Sequence, residues 1–180
     1  MKYISVLLIL SVTSCNFSEQ TESITIGSKE TEYIEIKDFP DNLKAKNIIL
    51  AIGDGVGPNQ ITLSRIAIGG LDHRLFIDQI PYLGTSLTHS YNNAYTDSAA
   101  AATAWSTGYK TKNRYLSLNP DKKILETIVE MLQKKGYTSG IVATSSVTHA
   151  TPAALYAHID SRYEYKNIAN QLINSSIDIA

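Results

Sequence analysis

The chain has 180 residues, of which 43% are hydrophobic and 18% charged, and its formal net charge is −1. That length and balance suit one globular domain with a sizeable core, and hardly two. Lysines and arginines are dispersed rather than gathered into a stripe, which excludes nucleic acid as the expected partner.

In chain order, Lys2 supplies a short positive region and residues 3–13 are nearly all apolar but too few to span a bilayer, so residues 1–14 read as a signal peptide. The stretch Val12-Thr13-Ser14-Cys15 resembles the bacterial lipoprotein cleavage box, in which the cysteine is lipidated; Cys15 is the only cysteine of the chain. The expectation is an exported periplasmic or cell-envelope protein held to a membrane by lipid on Cys15. A chance cysteine at an ordinary signal-peptide end is the alternative. Residues 15–43 read as a flexible tether, because residues 16–30 are rich in Ser, Thr and Glu. Within the tether, Tyr33-Ile34-Glu35-Ile36 alternates like a short strand before Pro40-Asp41-Asn42 breaks the pattern.

The domain is expected over residues 44–180, where helix and strand patterns alternate. Residues 47–52, 82–88 and 138–144 read as strands; 59–68 reads as a helix ended by Gly69-Gly70. An alanine-rich helix is predicted over 98–106 with Gly108 as its stop, and an amphipathic one over 124–135 closed by Gly136. Thr151-Pro152 reads as a cap followed by proline in the first turn, predicting a helix over 152–158. A further helix is expected over 163–172, and residues 176–180 look like the opening of another strand. A strand cut at its start would leave an open edge, so the chain reads as a fragment. The alternation implies an α/β fold, a parallel sheet covered on both faces, with functional groups at the carboxyl ends of strands.

Three segments carry residues suited to chemistry. Thr96-Asp97-Ser98-Ala99-Ala100 delivers a hydroxyl to the first turn of a helix, where unpaired N–H groups and the helix dipole favour an anion. Asp97 and Ser98 are equally ordinary helix caps. Gly53-Asp54-Gly55-Val56-Gly57-Pro58 fails the dinucleotide fingerprint, since proline stands where the third glycine belongs; a carboxylate between two glycines suits a metal or a simple turn. His149, Thr151, His158, Asp160 and Arg162 gather donors and ligands in one short span. Each also has a structural reading as cap, helix residue or surface charge. A guanidinium binds two phosphate oxygens at once, making Arg162 a phosphate clamp if it faces Ser98, with Asp97 positioning it through an ion pair. No histidine lies near Ser98 in sequence, and His89 belongs to another predicted element, so metal activation of the hydroxyl is the more economical reading.

These residues resemble the alkaline phosphatase family. The resemblance rests on Asn47-Ile48-Ile49-Leu50-Ala51-Ile52-Gly53-Asp54-Gly55, on residues 96–108 with Trp105-Ser106-Thr107-Gly108, and on Ala150-Thr151-Pro152-Ala153-Ala154 through Ser161-Arg162, in the family's order. It implies a three-layer αβα sandwich with a mostly parallel central sheet, present here in its N-terminal part. It also implies a phosphomonoesterase with two zinc ions (Zn2+) and one magnesium (Mg2+), acting on phosphate monoesters through a phosphoserine. Residue by residue, Asp54 matches the carboxylate bridging magnesium and one zinc, Ser98 the zinc-held nucleophile, Thr151 a magnesium ligand and Arg162 the phosphate-binding arginine. His149 stands where members carry Asp or His near magnesium. Tyr95 replaces a small aliphatic residue, and Asn113-Arg114 replaces Asn-Gly, so a positive-φ glycine is missing. None of His73, His89, His149 and His158 matches a zinc-ligand motif, so the 180 residues are expected to be inactive alone. Dimerisation is common in the family and leaves a homodimer open. The alternative from another class is a non-catalytic lipoprotein that binds phosphate or a surface partner.

Overall fold

The computed structural model describes residues 26–35 and 45–180. The signal-peptide stretch, Cys15 and the Pro40-Asp41-Asn42 break lie outside the described residues. Five α-helices are formed among them: α1 (Pro58–Gly69), α2 (Ser98–Thr107), α3 (Ile128–Gln133), α4 (Ala150–Ala153) and α5 (Tyr165–Ile173). A 3-10 turn covers Phe76–Gln79. No helix of the described residues is long and apolar enough to cross a membrane.

The chain divides into two compact units. In the smaller one, residues 26–34 lie along Ile61–Gln79, with the Gly27 and Lys29 N–H groups donating to the Ile66 and Ile68 carbonyls at 3.3 and 3.1 Å. Its fixed point is a forked ion pair from Arg65 to Asp78, at 3.0 and 2.7 Å. The Arg65 guanidinium, helped by the Leu75 N–H, holds the Asp78 carboxyl below its ordinary value. Tyr33-Ile34-Glu35 forms no strand.

The larger unit carries the core. Its buried cluster takes Ala99 and Ala102 from α2, Ala150 and Ala153 from α4, Leu116, Ile141, Ala154, Tyr156 and Ala157 from loops, and Ile168 from α5. α2 and α4 meet through alanines, and faces without long side chains let two backbones approach closely. α2 spans the predicted segment and ends at Gly108, whose φ of 82° is left-handed and whose N–H returns to the Ala104 carbonyl. Thr103, fully buried, pins the following loop: its hydroxyl donates to the Tyr115 carbonyl at 3.1 Å and accepts from the Ser117 N–H at 2.9 Å.

Two predicted helices are shorter than their patterns. α3 begins at Ile128, not at 124, because Thr127 caps it: the Thr127 hydroxyl accepts from the Glu130 N–H, and the Glu130 carboxylate accepts from the Thr127 N–H at 2.7 Å. The three residues before the cap are drawn elsewhere, with Ile124 bridging Leu118 and the Leu125 N–H donating to the Ser117 carbonyl. α4 begins at Ala150 with His149 as cap residue, so Thr151 is not the cap and Pro152 is the third helical residue. It does not reach 158, because outside partners take the backbone that would continue it. Ser106 and Ser117 hydroxyls donate to the Ala154 carbonyl at 3.0 and 2.6 Å, Thr127 donates to that of Leu155 at 2.8 Å, and the Gln171 amide oxygen accepts from the His158 N–H at 2.8 Å. Ile159 then pairs antiparallel with Leu116.

The expected sheet is the main departure. Among the described residues, β pairing is confined to isolated bridges, and residues 47–52, 82–88 and 138–144 form no ladder. Ile49 is 95% exposed and Val142 97%, which is not how a strand inside a two-faced parallel sheet sits. Their apolar composition is that of buried strands, but a strand is stabilised only by neighbours that close its hydrogen bonds. Among the described residues the one parallel pairing is Gly140 with Ile179, joining 138–144 to the predicted strand opening at 176–180.

The Glu130 carboxylate also receives the His158 ring at 2.9 Å, while the other ring nitrogen faces the Ser117 carbonyl at 2.9 Å. Burial works to raise the Glu130 pKa, but the Thr127 N–H and His158 outweigh it and hold it below the ordinary 4.5. A folded-state value below the unfolded one stabilises fully above pH 4.5 and is lost as pH falls through the folded value. Glu130→Gln should therefore flatten the acid limb of stability below pH 4.5, read by urea denaturation across pH. Thr127→Ala removes both the cap and the Leu155 partner and should cost about 2 kcal/mol in the same assay.

Candidate active site

A cleft of ≈ 540 Å³ in the larger unit is lined by Asp54, Thr88, Asp97, Ser98, Trp105, Thr151 and Arg162 among others. Three chain segments converge on it. Gly53-Asp54-Gly55-Val56 makes a tight turn closed by the Val56 N–H on the Gly53 carbonyl at 3.2 Å. Gly55 sits at φ 71°, a conformation a side chain would strain, and this turn presents the exposed Asp54 carboxylate.

Asp54 is shared between two hydroxyls. Ser98 Oγ donates to Asp54 Oδ1 at 3.1 Å, and Thr151 Oγ1 donates to Asp54 Oδ2 at 2.6 Å. Asp54 and Thr151, 97 positions apart in sequence, thereby meet beside Ser98. Ser98 opens α2 and Thr151 lies in α4, so the alanine contact between the helices sets the spacing of the two hydroxyls.

Asp97 is the second organiser. Its Oδ1 accepts from the Ala100 N–H at 2.9 Å as the cap of α2, and its Oδ2 accepts from the Arg114 N–H at 3.0 Å and from Arg162 at 3.3 Å. Its own N–H donates to the Asn113 side-chain oxygen at 3.1 Å. The Arg162 N–H in turn donates to the Arg114 carbonyl at 2.9 Å. Asp97, Asn113, Arg114 and Arg162 thus close a ring of hydrogen bonds. The Arg162 side chain is 14% exposed and that of Asp97 23%, so this charge-assisted pair is better shielded from water than a surface pair.

The second guanidinium nitrogen of Arg162 faces His149 Nε2 at 3.2 Å. A guanidinium only donates, so in this contact His149 Nε2 is the acceptor. The loop before His149 is tied down by Tyr156, whose hydroxyl donates to the Val147 carbonyl at 2.8 Å; burial pushes this phenol up to about 12, so it stays a donor.

The structure brings together Asp54, Ser98, Thr151, Arg162 and His149. It does not bring in the rest of the 149–162 cluster: His158 pairs with Glu130, and Asp160 with Lys122 at 2.6 Å. Sequence reasoning missed Asn113 and Arg114 as members of the ring. Their only signal was the departure from Asn-Gly, and the departure changes less than expected: Arg114 adopts φ 77°, the left-handed conformation a glycine would take. Tyr95 is 75% exposed, and its carbonyl accepts from Ser90 and Asn113.

An all-oxygen donor set of one carboxylate and two hydroxyls suits a hard cation such as magnesium. A catalytic zinc wants three protein ligands, and no group of three or more His, Cys, Asp or Glu side chains forms among the described residues. Asp54 and Ser98 would be a partial zinc set.

A family model described as Alkaline phosphatase matches residues 45–180. The chain is 42% identical over 137 residues to an alkaline phosphatase of Escherichia coli (strain K12), covering 72% of this chain and 29% of that protein. It is 40% identical over 124 residues to the streptomycin-6-phosphate phosphatase of Streptomyces griseus, covering 66% of this chain and 28% of that one. Among solved structures it is similar to a cold-active alkaline phosphatase from a psychrophilic Shewanella, with TM-score 0.66 and 32% identity over 71% of this chain and 33% of the other. It is likewise similar to a variant of TAB5 alkaline phosphatase with magnesium bound, with TM-score 0.65 and 36% identity over 69% of this chain and 35% of the other. The chain spans 29% and 28% of the length of the two sequence relatives.

Asp97 serves the cap, the 113–114 loop and Arg162 at once. Asp97→Ala should lower stability by about 2–3 kcal/mol, with Asp97→Asn recovering part of the cap, as read by urea denaturation.

Proposed function

The chain belongs to the alkaline phosphatase family, and on that premise we propose that it carries the nucleophile and phosphate clamp of a phosphate monoester hydrolase. The observation that carries the reading is the joining of Ser98 and Thr151 through Asp54, beside an Arg162 held by Asp97. Ser98 is assigned as the nucleophile, Arg162 as the phosphate-binding group, and Asp54, Thr151 and Ser98 as metal-facing oxygens, with His149 beside them.

In this reading the substrate phosphate enters at the start of α2. Arg162 donates to two of its oxygens, and Asp97 fixes the plane of the guanidinium so that its fork meets the phosphate without reorganising. Ser98 Oγ attacks phosphorus in line, forming a serine–phosphate bond as the bond to the alcohol oxygen breaks; the alcohol takes up a proton and departs. Water then cleaves the serine–phosphate bond, returning Ser98 and releasing inorganic phosphate. The zinc and magnesium ions implied by the family supply, when bound, the Lewis acidity that makes a serine hydroxyl nucleophilic at neutral pH. Asp54 and Thr151 would hold magnesium; Asp54 and Ser98 would face zinc, whose remaining ligands the described residues do not provide. Membrane attachment through Cys15 and an envelope location complete the proposal, with a homodimer left open.

A second reading, a phosphate-binding module without turnover, rests on the same Arg162 clamp held by Asp97 at the start of α2. Turnover separates the two. The 180 residues with zinc and magnesium should release no phosphate from an aryl phosphate above background. In an enzyme that adds the missing zinc ligands to this segment, Ser98→Ala should lower turnover by at least about 10³-fold, and Arg162→Ala should raise KM and lower kcat. Turnover retained by Ser98→Ala would overturn the nucleophile assignment, and absence of turnover in the complete enzyme would favour the binding module.

A further inference from the structure

Arg114 stands out for backbone, charge and placement together. It is one of three non-glycine residues at positive φ in the described chain, at 77°, a conformation that costs an ordinary side chain about 1 kcal/mol over glycine. The strain is imposed locally, since the Arg114 N–H is fastened to Asp97 and its carbonyl to the Arg162 N–H. Backbone requirement alone would be met more cheaply by glycine, so the side chain is what the strain secures.

That side chain is exposed and lies with its guanidinium carbon 5.7 Å from the Tyr163 ring centroid. Arg162 approaches the same ring at 6.0 Å. Tyr163 therefore bridges two guanidinium groups, one belonging to the phosphate clamp and one outside it. Their charges are not equally spent. Arg162 is paired with Asp97, whereas Arg114 makes no ion pair among the described residues. A cation stacked on an aromatic face keeps its N–H edge free for an anion.

We infer that Arg114, stacked on Tyr163, forms a second anion subsite beside the phosphate clamp, which selects phosphate monoesters whose alcohol part carries another anionic group, such as a carboxylate or a second phosphate. The inference rests on the phosphate-site reading above and adds a preference to it. Arg114 is a specificity-determining residue here, and its side chain takes no part in bond making or breaking.

The test uses the 180-residue chain with magnesium present and two hydrolysis-resistant probes, phenylphosphonate and 4-carboxyphenylphosphonate, titrated by calorimetry. The carboxylated probe should bind about three- to tenfold tighter, the gain of one solvent-exposed charge-assisted contact, and less so at high salt. Arg114→Gly, which suits the left-handed backbone and so should fold, is expected to bring that ratio to near one. Any general effect of the substitution on phosphonate binding cancels in the ratio. Arg114→Lys, with the charge but not the planar fork, should keep part of it. An unchanged ratio in Arg114→Gly, with both probes still bound, would overturn the subsite and leave the phosphate clamp standing. Failure of the wild-type chain to bind either probe would overturn both, and loss of both probes in Arg162→Ala with the wild type binding would support the clamp on which the subsite depends.

Discussion

One carboxylate holds the candidate site in register. Asp97 simultaneously ends the approach to α2, receives the 113–114 loop and holds Arg162, so the start of the nucleophile helix and the phosphate clamp share an anchor. Without it, the orphan N–H groups of the helix, a loop N–H and a guanidinium would each need another partner. Asp54 does the complementary task across the cleft, joining hydroxyls on α2 and α4. Two neighbouring acidic roles are thereby separated by geometry: one carboxylate faces protein donors, the other faces the open cleft.

The site was more legible in the sequence than the fold around it. Ser98 at a helix start, Gly55 in the Asp54 turn and Gly108 as the stop of α2 follow from local chemistry, and each is found as expected. These features depend on a few consecutive residues, where capping and turn rules apply; the Asp97–Arg162 pair joins residues 65 apart and follows from charge alone. The family is supported by the match over residues 45–180 and by the likeness to solved alkaline phosphatases. What local rules could not supply was the competition for backbone groups. α4 stops at Ala153 because hydroxyls from Ser106, Ser117 and Thr127 lie in wait for the next carbonyls, and no pattern within residues 150–158 announces them. The span 149–162 misled for a similar reason: it looked like one cluster, but turning out of the helix sends His158 and Asp160 away from the cleft while Arg162 returns to it.

The strands show the opposite imbalance. Residues 47–52 and 138–144 carry the composition of buried strands, yet composition states only what a segment would do with neighbours on both sides. Helices close their own hydrogen bonds, and here the helices form where they were expected, with altered ends. Ladders must be closed by distant segments, and in the described residues a single parallel contact, Gly140 with Ile179, is made.

The alanine seam between α2 and α4 has a bearing on how the site keeps its shape. Where helices meet through leucine or methionine, their separation depends on which rotamers those side chains occupy, and thermal hopping blurs the distance. Alanine has no rotamers, so contact of backbone and methyl surfaces, fastened by the Ser106 hydroxyl on the Ala154 carbonyl, sets the offset between Ser98 and Thr151. The seam acts as a spacer with one setting: the two hydroxyls owe their alignment on Asp54 to residues that carry no functional group, and enlarging any of them would move the chemistry without touching it.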